Sequence, residues 1–109
     1  VLALPPDCAQ VRGLQVGAFG PWQSGDGGEA QYESRAFIAG DGAPEDPATG
    51  SLNAGIARWL LSTGEAPERY VISQGTAVGR AERLRVERVG EALWIGGDCV
   101  TCIEGQVTL

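Results

Sequence analysis

The chain has 109 residues, 43% of them hydrophobic and 20% charged, which fits one globular domain with one core and excludes a disordered chain. Its formal net charge of −6 repels phosphate backbones, so nucleic acid is not an expected partner. No apolar run approaches the ~20 residues that span a bilayer, so no membrane association is expected either.

The chain opens on Val1 rather than Met, which points to a fragment, a trimmed chain or a product without its head. Pro5, Pro6 and Asp7 end the short apolar start, so nothing there reads as a signal peptide. The cysteines are Cys8, Cys99 and Cys102, and an odd number argues against a secreted disulfide scaffold. The expected location is cytoplasmic.

Asp7–Arg12 reads as one short helical turn at most. Gly13–Phe19 is a short extended run ended by Gly20 and Pro21. Ser24–Gly28 is a turn-forming cluster and a predicted hairpin tip. Ala30–Ala39 alternates and reads as a strand, and Gly40–Pro47 is a Gly/Pro/Asp loop.

One helix follows, from Asp46 or Thr49 to about Ser62. Its body reads Leu52, Ala54, Ile56, Ala57, Trp59, Leu60, Leu61, with Asn53, Arg58 and Ser62 as its clearly polar residues. A helix apolar over most of its circumference is expected to be buried on most sides. Gly64 is its stop.

Beyond Pro67 the chain is strand-like: Tyr70–Ser73, Leu84–Arg88, Leu93–Ile95, Cys99–Ile103 and Val107–Leu109, separated by glycines. The predicted fold class is therefore α+β, a mostly antiparallel or mixed sheet wrapped around a single central helix, about residues 49–62. Cys99 and Cys102 have a C-x-x-C spacing, but a second ligand pair and any histidine are missing from the sequence. On a strand, residues three apart point to opposite faces, so the two thiols read as small fillers and no metal is expected.

The segment Glu45-Asp46-Pro47-Ala48-Thr49-Gly50-Ser51 leads into the helix. One reading is a helix start alone: Asp46 as N-cap, Pro47 at the first helical position, acidic residues at the positive end of the dipole. The other is a ligand site. Gly50 costs up to ~1 kcal/mol relative to Ala in a first turn, and it lets a ligand approach the backbone. Thr49, Gly50 and Ser51 offer adjacent N–H groups and two hydroxyls where a helix attracts anions.

These residues carry a resemblance. Ser34-Arg35-Ala36-Phe37, the EDPATGS segment with its apolar helix, Ser73-Gln74-Gly75-Thr76, Gly79-Arg80, Trp94-Ile95-Gly96-Gly97 and the closing Gly105–Leu109 are together similar to the signature of the PhzF-like (phenazine biosynthesis) proteins. The match covers most of the chain. It implies one lobe, here the C-terminal one, of a two-lobe fold shared with diaminopimelate epimerase, each lobe with a sheet around one helix. Substrate would sit in the cleft between lobes, facing the two helix N-termini. The known member isomerises a dihydroxylated, carboxylate-bearing cyclohexadiene amino acid by moving a proton, with no metal or organic cofactor.

Carried over, Asp46 matches the family's active-site aspartate, Ser51 its active-site serine and Gly50 the glycine whose amide faces the ligand. Asp46 and Ser51 are thus the candidate catalytic residues, and Thr49, Gly50 and Ser51 the candidate ligand-binding residues. Gln74, Gly75, Arg35 and Arg80 read as structural: strand ends, turns, or charges paired with Glu or Asp. The family's main proton-transferring glutamate and its partner histidine belong to the other lobe, and this chain has no histidine. The expected partners are a small carboxylate-bearing molecule and either a second lobe or an identical chain, as a homodimer. Three functions follow: half of an isomerase cleft, a free-standing homodimeric lobe that binds a small carboxylate, or a non-catalytic interaction module.

Overall fold

The structure, a computed structural model, describes residues 1–3, 13–23, 25–38 and 45–109. The short turn expected at Asp7–Arg12, Cys8, Ser24 and most of the loop before Glu45 lie outside the described residues. The architecture is α+β, a six-stranded mixed sheet carrying one α-helix.

β1 (Gln15–Pro21) and β2 (Tyr32–Ile38) form an antiparallel pair, Gln15 opposite Ile38 and Pro21 opposite Tyr32. β3 (Glu45–Asp46) pairs antiparallel with the end of β2. The chain then turns into α1 (Gly50–Thr63) and returns as β4 (Arg69–Gln74), parallel to β2. A 3-10 turn at Thr76–Val78 leads to β5 (Glu82–Val89), and β6 (Ala92–Gly96) closes the meander. The order across the sheet is β1-β2-β4-β5-β6. Every pairing is antiparallel except β2 with β4, whose crossover is the helix.

The helix ends where the sequence places its stop. Gly64 takes the left-handed conformation, φ 72°, and its N–H bonds to the carbonyl of Leu60. Asn53, Ala57 and Leu60, spaced four and three apart, are its buried residues. Ala57 and Leu60 pack on Tyr70 and Ile72 of β4 and on Leu84 and Val86 of β5. A helix buried on most sides is not what forms within this chain. The sheet covers one flank, and Trp59 on another is 54% exposed.

A second difference lies at the end. The expected strands at Cys99–Ile103 and Val107–Leu109 do not form; residues 97–109 carry no regular structure and are exposed. Val100, Ile103, Val107 and Leu109 are among the most exposed apolar side chains. An apolar run becomes a strand only beside a strand that bonds to it. After Gly96 the ladder with β5 stops, and Asp98 is instead held by Arg85 at 2.6 Å.

Candidate functional site

The site is built where β2, β3 and the start of α1 meet. Glu45 anchors β3: its carboxylate takes two bonds from Arg35, Nε to Oε1 at 2.9 Å and Nη2 to Oε2 at 2.7 Å. Both side chains are buried. Arg35 also lies over the ring of Phe37 and donates to the carbonyls of Val1 and Leu2. The hydrogen bond to Glu45 raises the Arg35 pKa above its ordinary value, so the guanidinium stays charged. The sequence reading of Arg35 as a paired structural charge agrees with this geometry.

With Glu45 fixed, Asp46 stands opposite Ala36 of β2, half-buried. It is not the N-cap. The cap position is Thr49, with extended backbone and no side-chain bond to the helix amides. The Thr49 hydroxyl is directed elsewhere, to Oδ2 of Asp46 at 2.6 Å. Pro47 and Ala48 thus form a short link before the helix rather than its first turn.

The consequence is chemical. The first helical bond runs from the amide of Asn53 to the carbonyl of Thr49. The amides of Gly50, Ser51 and Leu52 therefore have no acceptor among the described residues, and the first turn holds no acidic side chain. A cavity of about 280 Å³ opens beside them. Gln15, Gly17 and Ile38 form one wall, Thr49, Ser51 and Leu52 the other. Gly17 lets the Leu52 side chain lie against β1: a Cβ there would meet it, and Leu52 would have to shift. Among the described residues no arginine lines the cavity, and the helix start beside it contributes a positive potential. Exposed Leu14, Val16 and Ile38 give this end of the molecule an apolar rim.

Of the predicted site residues, Thr49 and Ser51 line the cavity and Gly50 is exposed beside it. Asp46 does not line it and reaches it through the Thr49 hydroxyl. Cys99 and Cys102 are exposed free thiols, and among the described residues no group of three or more potential metal ligands forms.

Two residues of the site, Gln74 and Asn53, are not among the predicted site residues, and Gln74 reads as structural in the sequence. Gln74, at the end of β4, is fully buried and bonds to Asp46, Thr49, Asn53 and Ser34. Asn53 is fully buried on the helix face toward it. The available signal was a polar amide in an otherwise apolar context, Asn53 within the helix and Gln74 closing the run Tyr70–Gln74. Buried amides need partners, and their partners mark a polar network. Arg80 has no carboxylate partner among the described residues; its backbone amide bonds to the carbonyl of Gly75.

Residues 2–105 match the family model described as Phenazine biosynthesis-like protein. Among curated proteins, Antisense-enhancing sequence 1 of Schizosaccharomyces pombe is 32% identical over 89 residues, covering 75% of this chain. The chain spans 30% of that relative's length.

Proposed function

This chain belongs to the phenazine biosynthesis-like family, and on that footing we propose that it is the C-terminal lobe of a PhzF-like, cofactor-independent isomerase. It contributes half of a cleft for a carboxylate-bearing substrate. The observation that carries this reading is the 280 Å³ cavity walled by Thr49 and Ser51 beside three amides without acceptors.

The division of labour follows from the donors. The substrate carboxylate sits at the amides of Gly50 and Ser51, with the Ser51 hydroxyl as a further donor. Charge-assisted bonds of this kind contribute about 1.5–3 kcal/mol each when water is excluded. The helix end adds about 0.3–1 kcal/mol. Asp46 has one oxygen held by Thr49, which leaves Oδ1 for an amino or hydroxyl group of the substrate. Proton transfer requires a tuned acid/base group in a closed, dry cleft. The resemblance assigns that role to the glutamate and histidine of the other lobe. The isolated 109-residue chain is thus expected to show no isomerase turnover; turnover abolished by Asp46→Asn would contradict this.

The binding half is tested by titrating the labelled chain with acetate. The amides of Gly50, Ser51 and Leu52 should shift first, with a dissociation constant on the order of millimolar or weaker in the open, wet half-site. Shifts spread evenly, or centred on arginine side chains, would refute it.

A second reading has its own observation. Leu14, Val16 and Ile38 beside the cavity, and the apolar side chains of residues 97–109, lack cover within the chain. Exposed apolar patches mark association, and two-fold pairing is its commonest closed form. A second copy then covers this end of the lobe. Light scattering at micromolar concentration should give twice 11.3 kDa, and a well-behaved 11.3 kDa species would exclude it.

A further inference from the structure

We propose that Gln74 is the positioning residue of this site: its buried amide sets the direction of every hydrogen bond from the helix start to Asp46. It thereby decides which carboxylate oxygen and which helix amides remain for a ligand. The ligand part of this proposal rests on the carboxylate-binding reading above.

The bonds around Gln74 sort into fixed donors and fixed acceptors. An amide side chain has an accepting end and a donating end, and its neighbours must distinguish them. Here two backbone groups do so, because neither can reverse its role. The Thr49 N–H can only donate, and it lies 3.0 Å from Oε1 of Gln74. The Asp46 carbonyl can only accept, and it lies 2.8 Å from Nε2. The orientation of Gln74 is therefore determined by the loop it holds.

The rest follows in sequence. The second Nε2 proton goes to the Thr49 hydroxyl at 2.9 Å. That hydroxyl, accepting from Gln74, has one proton to give, and Asp46 Oδ2 receives it at 2.6 Å. Oδ2 is committed and Oδ1 is left. The Thr49 amide is committed as well, so the free amides begin at Gly50. From the helix side, Nδ2 of Asn53 donates to Oε1 of Gln74 at 2.7 Å and to the Thr49 carbonyl at 2.9 Å, which ties the same loop to α1.

Gly75 supplies the close approach. Its φ is +80°, and a Cβ there would meet the Pro47 carbonyl oxygen at 2.9 Å and Pro47 Cα at 3.2 Å. A side chain at this position would push the Asp46–Thr49 link away from β4. The near isosteres of Gln74 do not reproduce its bonds. Glutamate has the length but cannot donate to both Asp46 and Thr49, asparagine is one methylene short, and methionine has the volume with neither end.

The test combines amide hydrogen exchange with acetate titration in the parent chain, Gln74→Met, Gln74→Glu and Thr49→Val. In the parent, the Thr49 amide should exchange slowly while Gly50 and Ser51 exchange fast. In Gln74→Met and Gln74→Glu, exchange at Thr49 should rise ~tenfold or more, and acetate affinity at Gly50 and Ser51 should fall ~tenfold, while the Ile72 amide stays protected. Unchanged Thr49 protection in both variants would overturn the proposal. If the parent chain ignores acetate, the carboxylate reading fails, but Thr49 exchange still decides whether Gln74 positions the loop. Should both Gln74 variants fail to fold, Thr49→Val decides. It keeps the backbone bond to Gln74, removes no side-chain cap, and cuts the relay at the Thr49 hydroxyl, both the bond from Gln74 Nε2 and the bond to Asp46. Unchanged acetate affinity in that variant would overturn the relay.

Discussion

Replacing Glu45 by glutamine should unfold this protein more readily than its position in a two-residue strand suggests. Glu45 and Arg35 have side chains only 2% and 4% exposed, and they meet through two parallel bonds. In Glu45→Gln the guanidinium keeps its charge and loses the carboxylate that takes two of its bonds, while its bonds to the Val1 and Leu2 carbonyls remain. Breaking one side of a buried pair costs about 3–5 kcal/mol. For a domain of this size each kcal/mol lowers the melting temperature by about 4–8 °C, so a fall of about 12 °C or more is expected. Removing both charges is a different perturbation. In Arg35→Met/Glu45→Leu neither member of the pair is left facing a lost partner and contact with Phe37 can persist, so part of the loss should be recovered, although the buried Glu33 carboxylate loses the positive charge near it. The control is Glu87→Gln, which breaks the Arg69 pair on the exposed side of β4–β5 and should cost about 0.5 kcal/mol or less. Urea unfolding of all four proteins, analysed by linear extrapolation, measures the set. A loss under about 1 kcal/mol for Glu45→Gln would refute the reasoning, because it would mean that water reaches Arg35.

Two further predictions rest on single groups. The Tyr70 hydroxyl is buried without a hydrogen-bond partner among the described residues, so Tyr70→Phe should raise stability by about 1 kcal/mol in urea melts. Burial pushes the Tyr70 pKa from 10.0 up to about 12. The fold therefore favours the neutral phenol: stability is retained below pH 10 and lost as pH rises toward 12, a slope that Tyr70→Phe should flatten. Cys99 and Cys102 are exposed, so both should react with a thiol reagent in the native protein without denaturant; protection of either would show that residues 97–109 are covered.

Much of the fold was legible because its signals are local. Gly64 marks the helix end by its left-handed backbone, and the alternation in Ala30–Ala39 contains all of β2. What was not legible depends on partners remote in sequence. Asp46 is a good N-cap by type, but Gln74, 28 residues on, bonds to its carbonyl and helps seat Thr49 at the cap instead. The helix composition gives no hint that one flank stays open, because Trp59 reads as apolar whether or not anything packs on it. The apolar runs Cys99–Ile103 and Val107–Leu109 suit a strand by composition, yet composition does not supply the neighbouring strand that would bond to them. The candidate site was legible in its helix-start residues alone. The opposite wall needed the β1–β2 register, with Gly17 opposite Ala36, to bring it beside Leu52.

The open start of α1 is proposed as half of a carboxylate site. A crystal structure of the chain grown with acetate tests it most directly. The account predicts a carboxylate in the cavity between Ser51 and Gly17, its oxygens about 2.7–3.1 Å from the Gly50 and Ser51 amides. Acetate bound only at arginine side chains such as Arg58 or Arg88, with the helix start turned under its own side chains, would contradict it.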